Sequence, residues 1–356
     1  MATSQFTIYT SSDAGGPGLI TGITGSLLSV LDACLVNGYG TQPGAGWTKP
    51  FANFSGALGC YKQPTGSALT LFVNDGGGNL SAVGQEAWAC GYEVLTYLTG
   101  SGNGSGVIFT GSYGNGQGFG QFPLPSQLLS TGHVVWRKST SANTVGRSWI
   151  IAADSSSMYL WIQTGDTAGM YYHGAFGDFY SLKGPTDLYR CHIYGRNVEN
   201  TNGGASSAQD WTDSLSAWNN NNLNALTIAQ PGHFLDRNSG GSGASIAYTK
   251  KGDSGLGGSC QNNTPASVPI QGILQTPNGA DNSLYLSPIW IVEPLNLSYR
   301  GRLRGIVQIC HPTSNFSDGQ IIQGSGDYNG KSYIIIKQGP TSGMWGLETS
   351  PTVETN

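Results

Sequence analysis

Apolar positions along this chain recur at two spacings. Between Ser26 and Asn37 the spacing is helical: Leu27, Leu28, Val30, Leu31, Cys34 and Leu35 fall on one wide face. Ser26 stands where an N-cap belongs, and Asn37-Gly38 supplies a stop. A face this wide predicts a helix packed on a sheet. Elsewhere the pattern is that of strands. Short apolar runs cover Gln5–Thr10, Leu69–Val73, Leu188–Tyr194, Ser283–Ile291, Gly305–Cys310 and Ser332–Lys337. Ala87–Thr99 reads as an extended stretch or a short helix. The clearest hairpin joins Ser148–Ala153 to Met158–Gln163 through the turn Asp154-Ser155-Ser156-Ser157.

Turn-forming residues separate these runs. Asn74-Asp75-Gly76-Gly77-Gly78 is a strong turn signal. Residues 100–120 and 324–330 are dense in Gly, Ser and Asn and read as loops. Asn197–Asn224 is a polar insertion with four consecutive asparagines, and a second loop insertion covers 236–260. No solenoid period recurs. The expected fold class is therefore mainly β: sandwich or barrel-like β domains with Gly-rich loops and one short N-terminal helix. The division expected is a β domain over 1–125, carrying the helix at 26–37, and a β-rich domain over 126–356.

Composition narrows the function. Of 356 residues, 55 are Gly and only 10% are charged, against about 25% in an ordinary domain. The net charge is -4. A nucleic-acid partner needs a basic stripe that sixteen scattered Lys and Arg do not form. A membrane partner is not expected, since no apolar run approaches the length of a span. The start of the chain lacks the basic and apolar segments of a secretory signal. Cys34, Cys60, Cys90, Cys191, Cys260 and Cys310 are far apart, which argues against structural zinc and for buried free thiols.

Candidate chemistry is sparse. Gly252-Asp253-Ser254-Gly255 resembles a serine-protease nucleophile loop, but His133 lacks the context of a base for Ser254. Asp327–Ser332 misses the glycine spacing of a phosphate loop and runs into a strand where a helix should begin. The glycines at 114, 116, 118 and 120 lack a strand-to-helix context. Asp236–Gly240 lacks the distal acidic ligand of a calcium loop. His133, His173, His192, His233 and His311 show no metal-ligand spacing. No catalytic, cofactor-binding or metal residue is assigned, no cofactor is expected, and no enzyme is expected.

Several segments in order resemble a family of tailed-bacteriophage virion proteins. They are Ser26–Gly40 with Gly46-Trp47-Thr48-Lys49; Leu71-Phe72-Val73-Asn74-Asp75 with Gly91-Tyr92-Glu93; Phe122-Pro123; Trp136-Arg137-Lys138-Ser139; Arg147–Trp161; Phe176-Gly177-Asp178-Phe179; and Arg300-Gly301-Arg302-Leu303-Arg304-Gly305. The resemblance implies a non-enzymatic structural component of the virion, made in the bacterial cytoplasm. It would dock on the capsid, neck or tail as a repeated subunit, with other virion proteins and its own copies as partners. A host-glycan adhesin and a virion-associated hydrolase are the alternatives.

Overall fold

The structure is a computed structural model that describes residues 3–53, 57–76, 84–98, 116–122, 133–139, 141–163, 171–195, 233–237, 244–251, 286–293, 298–309, 316–337, 344–350 and 352–353. The chain opens with β1 (Thr3–Ser4), β2 (Thr7–Thr10) and helix α1 (Ser26–Leu31), which continues as a π-helical stretch over Asp32–Asn37. Strands β3 (Ala52–Asn53), β4 (Leu58–Lys62), β5 (Thr70–Asn74), β6 (Glu86–Tyr92), β7 (Val94–Leu98), β8 (Gly116–Phe119) and β9 (Val134–Arg137) follow. Next come β10 (Trp149–Ala153), β11 (Ser157–Gln163), β12 (Tyr171–Asp178), β13 (Tyr180–Ser181) and β14 (Cys191–Gly195). Strands β15 (His233–Arg237), β16 (Ala244–Lys251), β17 (Leu286–Glu293) and β18 (Ser298–Ile309) extend the same run. The last are β19 (Ile321–Gln323), β20 (Ser332–Lys337), β21 (Met344–Glu348) and β22 (Thr352–Val353).

Every pairing is antiparallel among the described residues, and the fold is mainly β and sandwich-like, without a closed barrel. Two main sheets carry it. One has five strands in the order β3-β4-β5-β6-β9. The other runs β19-β20-β21-β18-β17-β16-β15-β14-β12-β11-β10-β2. A twisted sheet of this width curls rather than staying open, and here β13, directly after β12, pairs with β18. Strands β10, β11, β12 and β14 thereby face β18, β20 and β21 across a shared core.

Strand alternation then gives three layers. On one face of β10, β11 and β14, Ile151, Leu160 and Ile193 pack with α1 and with Tyr61, Val73 and Trp136 of the five-stranded sheet. On the opposite face, Ala152, Tyr159, Trp161 and Tyr194 pack with Leu303, Ile336 and Trp345. The middle layer is covered on both sides, which is why β10, β11 and β14 are buried almost without interruption. Aromatic polar tips tie the first two layers together: Trp136 Nε1 donates to the Tyr194 carbonyl (2.8 Å), Trp47 Nε1 to the Asp154 carbonyl (2.6 Å), and Tyr172 Oη to the Val135 carbonyl.

The expected helix is present over 26–37, and its apolar face packs on sheet as anticipated. Its capping differs. Gly25 occupies the N-cap, and the Ser26 hydroxyl donates to the Thr21 and Ile23 carbonyls instead. The helix end widens because the N–H groups of Ala45 and Trp47 take the Cys34 and Leu35 carbonyls. Gly38, at φ 74°, ends it. Ala87–Thr99 resolves into two strands, β6 and β7. The Leu188–Tyr194 strand begins only at Cys191, because residues 182–190 form turns held by side-chain hydrogen bonds. Within the expected loops, Gly116–Phe119 and Ala244–Lys251 are strands. The insertion at 197–224 lies outside the described residues. Sheet membership crosses residue 125 in both directions: β9 joins the five-stranded sheet and β2 the large one.

The middle layer should be the least tolerant of truncation. Leu160→Ala is expected to cost about 2–5 kcal/mol, read from urea unfolding, because the site is closed on both sides and cannot collapse.

Candidate functional site

Eleven of the chain's 36 charged side chains are buried among the described residues. A buried charge must find a partner, and nine of the eleven gather around Asp154, Asp187, Asp178, Asp75 and Glu86. The first node forms at the β10–β11 turn. Asp154 Oδ1 accepts from the backbone N–H groups of Ser156 and Ser157 (both 2.8 Å), which shapes the turn. Its Oδ2 meets Arg304 Nη2 at 2.9 Å. Arg304 reaches across from β18, also donating to the Ser156 and Ser157 hydroxyls, and its guanidinium lies over the Phe6 and Tyr180 rings. Tyr159 Oη donates back to the Arg304 carbonyl at 2.9 Å. Gly305, at φ 62°, follows; a Cβ there would meet the Phe6 ring.

Period-two spacing puts Arg302 and Arg304 on one face of β18, both over Tyr180, and Arg300 precedes them at a register irregularity. Arg300 pairs with Asp187 (3.4 Å) and covers Phe179. Arg302 is half-exposed over Tyr180. A second node surrounds Asp178 at the end of β12. Its carboxylate accepts from the Ser67 N–H (2.9 Å), Arg190 Nε (2.8 Å), the Ser67 hydroxyl and Gln63 Nε2. Burial pushes this carboxyl up, against the hydrogen bonds from Ser67 and Arg190.

The third node lies under α1. Asp75 Oδ2 accepts from the N–H groups of Leu27 (2.8 Å) and Leu28 (3.4 Å), so a carboxylate 48 residues downstream caps the helix in place of Ser26. Lys138 Nζ meets Asp75 Oδ1, with both side chains fully buried. It also donates to the Ile23 carbonyl at 2.7 Å. Next along β9, Arg137 pairs with Glu86 at 2.5 Å, again with no exposure.

These nodes hold layers together. A guanidinium beside Ser156 and Ser157 cannot take a proton from either hydroxyl, so no nucleophile is activated there. His133 is buried and stacked on Trp88 at 4.2 Å, while Ser254 lies outside the described residues. The run over 327–332 is a short helical turn entering β20. Of the glycine run at 114–120, Gly116 and Gly118 lie in β8. Asp236 is paired in β15 with His192 and Ser245 rather than standing in a loop. No three His, Cys, Asp or Glu converge among the described residues. Cys34, Cys60, Cys90 and Cys191 are buried free thiols as expected, and burial pushes all four up, Cys60 to about 12. Cys260 and Cys310 lie outside the described residues.

No protein-family model matches the chain, and no curated protein matches it.

The paired nodes were missed because each partner is distant in sequence. Their local signal is a charge set against an apolar strand: Arg137-Lys138 after Val134-Val135-Trp136, Asp154 after Trp149–Ala153, and Arg304 beside Leu303.

Two outcomes follow from this chemistry. Arg304→Ala leaves Asp154 buried and unpaired, so it should cost about 3–5 kcal/mol in urea unfolding. Arg302→Ala, on the same face but half-exposed, should cost about 1 kcal/mol or less. The buried His173 and His192 give an acid dependence. Burial holds His192 down at about 3 and His173 well below its ordinary 6.5. The unfolded chain therefore binds more protons below about pH 6.5. Stability should fall as pH drops from 6.5 toward 3, by about 1.4 kcal/mol per pH unit for each histidine. Urea midpoints at pH 7, 6 and 5 should fall more steeply for the wild-type chain than for His173→Phe, the difference isolating His173 from Asp75 and Asp178, whose raised carboxyls act the opposite way.

Proposed function

We propose that this chain is a non-enzymatic structural subunit of a tailed-bacteriophage virion, docking on the capsid, neck or tail in repeated copies. The observation that carries the reading is the division between inside and outside. Charge is scarce, and nearly a third of it is spent on internal pairs, while large apolar side chains stand at the surface. Leu182 and Leu188 are 63% and 68% exposed. They sit on a short turn segment that is braced from within: the Ser181 hydroxyl donates to Asp187 Oδ2 at 2.6 Å, Asp187 pairs with Arg300, and Arg190 Nη1 donates to the Pro185 carbonyl. A braced loop loses little conformational entropy on docking. Exposed leucines and few charges suit a protein interface.

The order of motifs along the chain supports the same reading. So does a core whose polar nodes lock layers without activating a nucleophile.

Purified virions test it. Quantitative mass spectrometry should find the chain at a fixed copy number per particle, and electron microscopy should place it on a symmetric feature. Absence from purified particles overturns the proposal. Host-cell binding by the free protein that blocks infection would favour the adhesin instead. Leu182→Asp with Leu188→Asp should leave thermal unfolding unchanged but lower incorporation about tenfold, the effect of about 1.4 kcal/mol lost at the interface.

A further inference from the structure

Asp75 and Lys138 are in an unusual situation even for a buried pair. Both side chains have no exposure, and Nζ touches Oδ1, yet Oδ1 accepts no well-aligned hydrogen bond. The other carboxyl oxygen faces two donors, the N–H groups of Leu27 and Leu28. The ammonium is held from behind by the Ile23 carbonyl (2.7 Å) and the Ser26 hydroxyl (3.3 Å). Neither group can turn away, because Asp75 lies in the turn after β5 and Lys138 directly follows β9, both anchored in the five-stranded sheet. The Lys138 backbone N–H is tied to the Gln85 carbonyl at 2.7 Å and that of Asp75 to Ala57 at 2.9 Å.

We propose that these two side chains condense within the folded chain to an amide between Asp75 Cγ and Lys138 Nζ, a covalent bridge between the β5 turn and β9. The step balances without any co-reactant. Neutral Nζ attacks the Cγ of the protonated carboxyl, and the C–N bond forms as the carbonyl electron pair moves onto Oδ2. There the Leu27 and Leu28 N–H groups receive the developing negative charge. Nζ passes a proton to the Oδ1 hydroxyl, the Cγ–Oδ1 bond breaks, Oδ1 leaves as water, and the Cγ=Oδ2 bond re-forms. Burial favours the neutral reactants: it pushes the Asp75 carboxyl up and the Lys138 ammonium down. Groups held at near-attack geometry reach an effective concentration of up to about 10⁵–10⁸ M, which condensation in open water lacks.

Peptide mapping of the denatured, purified full chain tests this. The expected result is a mass one water (about 18 Da) below that of the chain, a peptide containing Asp75 joined to one containing Lys138, and no tryptic cleavage after Lys138. Lys138→Arg keeps the positive charge but should restore the full mass with unlinked peptides. Chain kept in denaturant from synthesis onward should have the full mass and lose one water only after refolding. Because Asp75 precedes Gly76, ring closure to a succinimide would also remove one water. That product is unlinked, is still cleaved after Lys138, and persists in Lys138→Arg. Finding it, or finding the wild-type chain at full mass with free Asp75 and Lys138 peptides, overturns the proposal.

Discussion

Burial of one sheet on both faces is the constraint from which the rest of the structure follows. Strands β2, β10, β11, β12 and β14 form a middle layer between the helix and five-stranded sheet on one side and β17, β18, β20 and β21 on the other. A layer with no solvent face can hold almost no unpaired polar group. Its backbone is satisfied by the ladder, and its side chains are mostly apolar or aromatic, with His173 and His192 held neutral by burial. Polarity is pushed to the strand ends, where Asp154 closes the β10–β11 hairpin and Asp178 ends β12. Those carboxylates are still covered by neighbouring layers, so each draws in a cation from another element: Arg304 from β18, and Arg190 from the turns before β14.

This arrangement gives the scarce charge a specific meaning. A buried ion pair adds little net stability over an apolar pair of the same shape, but leaving one member alone is costly. Asp154 with Arg304 and Glu86 with Arg137 therefore act mainly on register. Each penalises a strand or layer that slips, because a slip strands a charge in the dry interior. The exposed Leu182 and Leu188 on their braced turn support the proposed subunit role, in which neighbours meet across apolar contacts.

The fold was legible where the apolar pattern was local. The helix at 26–37 and the hairpin around Asp154–Ser157 could be read directly, because their partners are a few residues away. The N-cap could not. Ser26 has the right side chain but lies one residue inside the helix, after Gly25 at the N-cap, and the Asp75 carboxylate, 48 residues downstream of Leu27, takes the Leu27 and Leu28 N–H groups instead. The apolar Leu188 predicts a strand; Asp187, bonded to Ser181, Tyr189 and Arg300, holds it in a turn instead. The glycine-rich segments predict loops, and two of them contain strands, since glycine content alone does not show whether a neighbouring edge is waiting to be paired. Three-layer stacking was equally hidden, because the curl of the large sheet depends on β13 meeting β18 more than a hundred residues later.

Native-state hydrogen exchange on the folded chain tests the central claim most directly. If the middle layer is shared by both flanking cores, amides of β10, β11 and β12 open only with global unfolding, and their exchange free energies equal the stability from urea denaturation. Exchange in the edge strand β19, where Ile321 is 60% exposed, should be faster. Amides of β10 and β11 exchanging through a lower-energy opening, while β5 and β6 stay protected, would contradict the account.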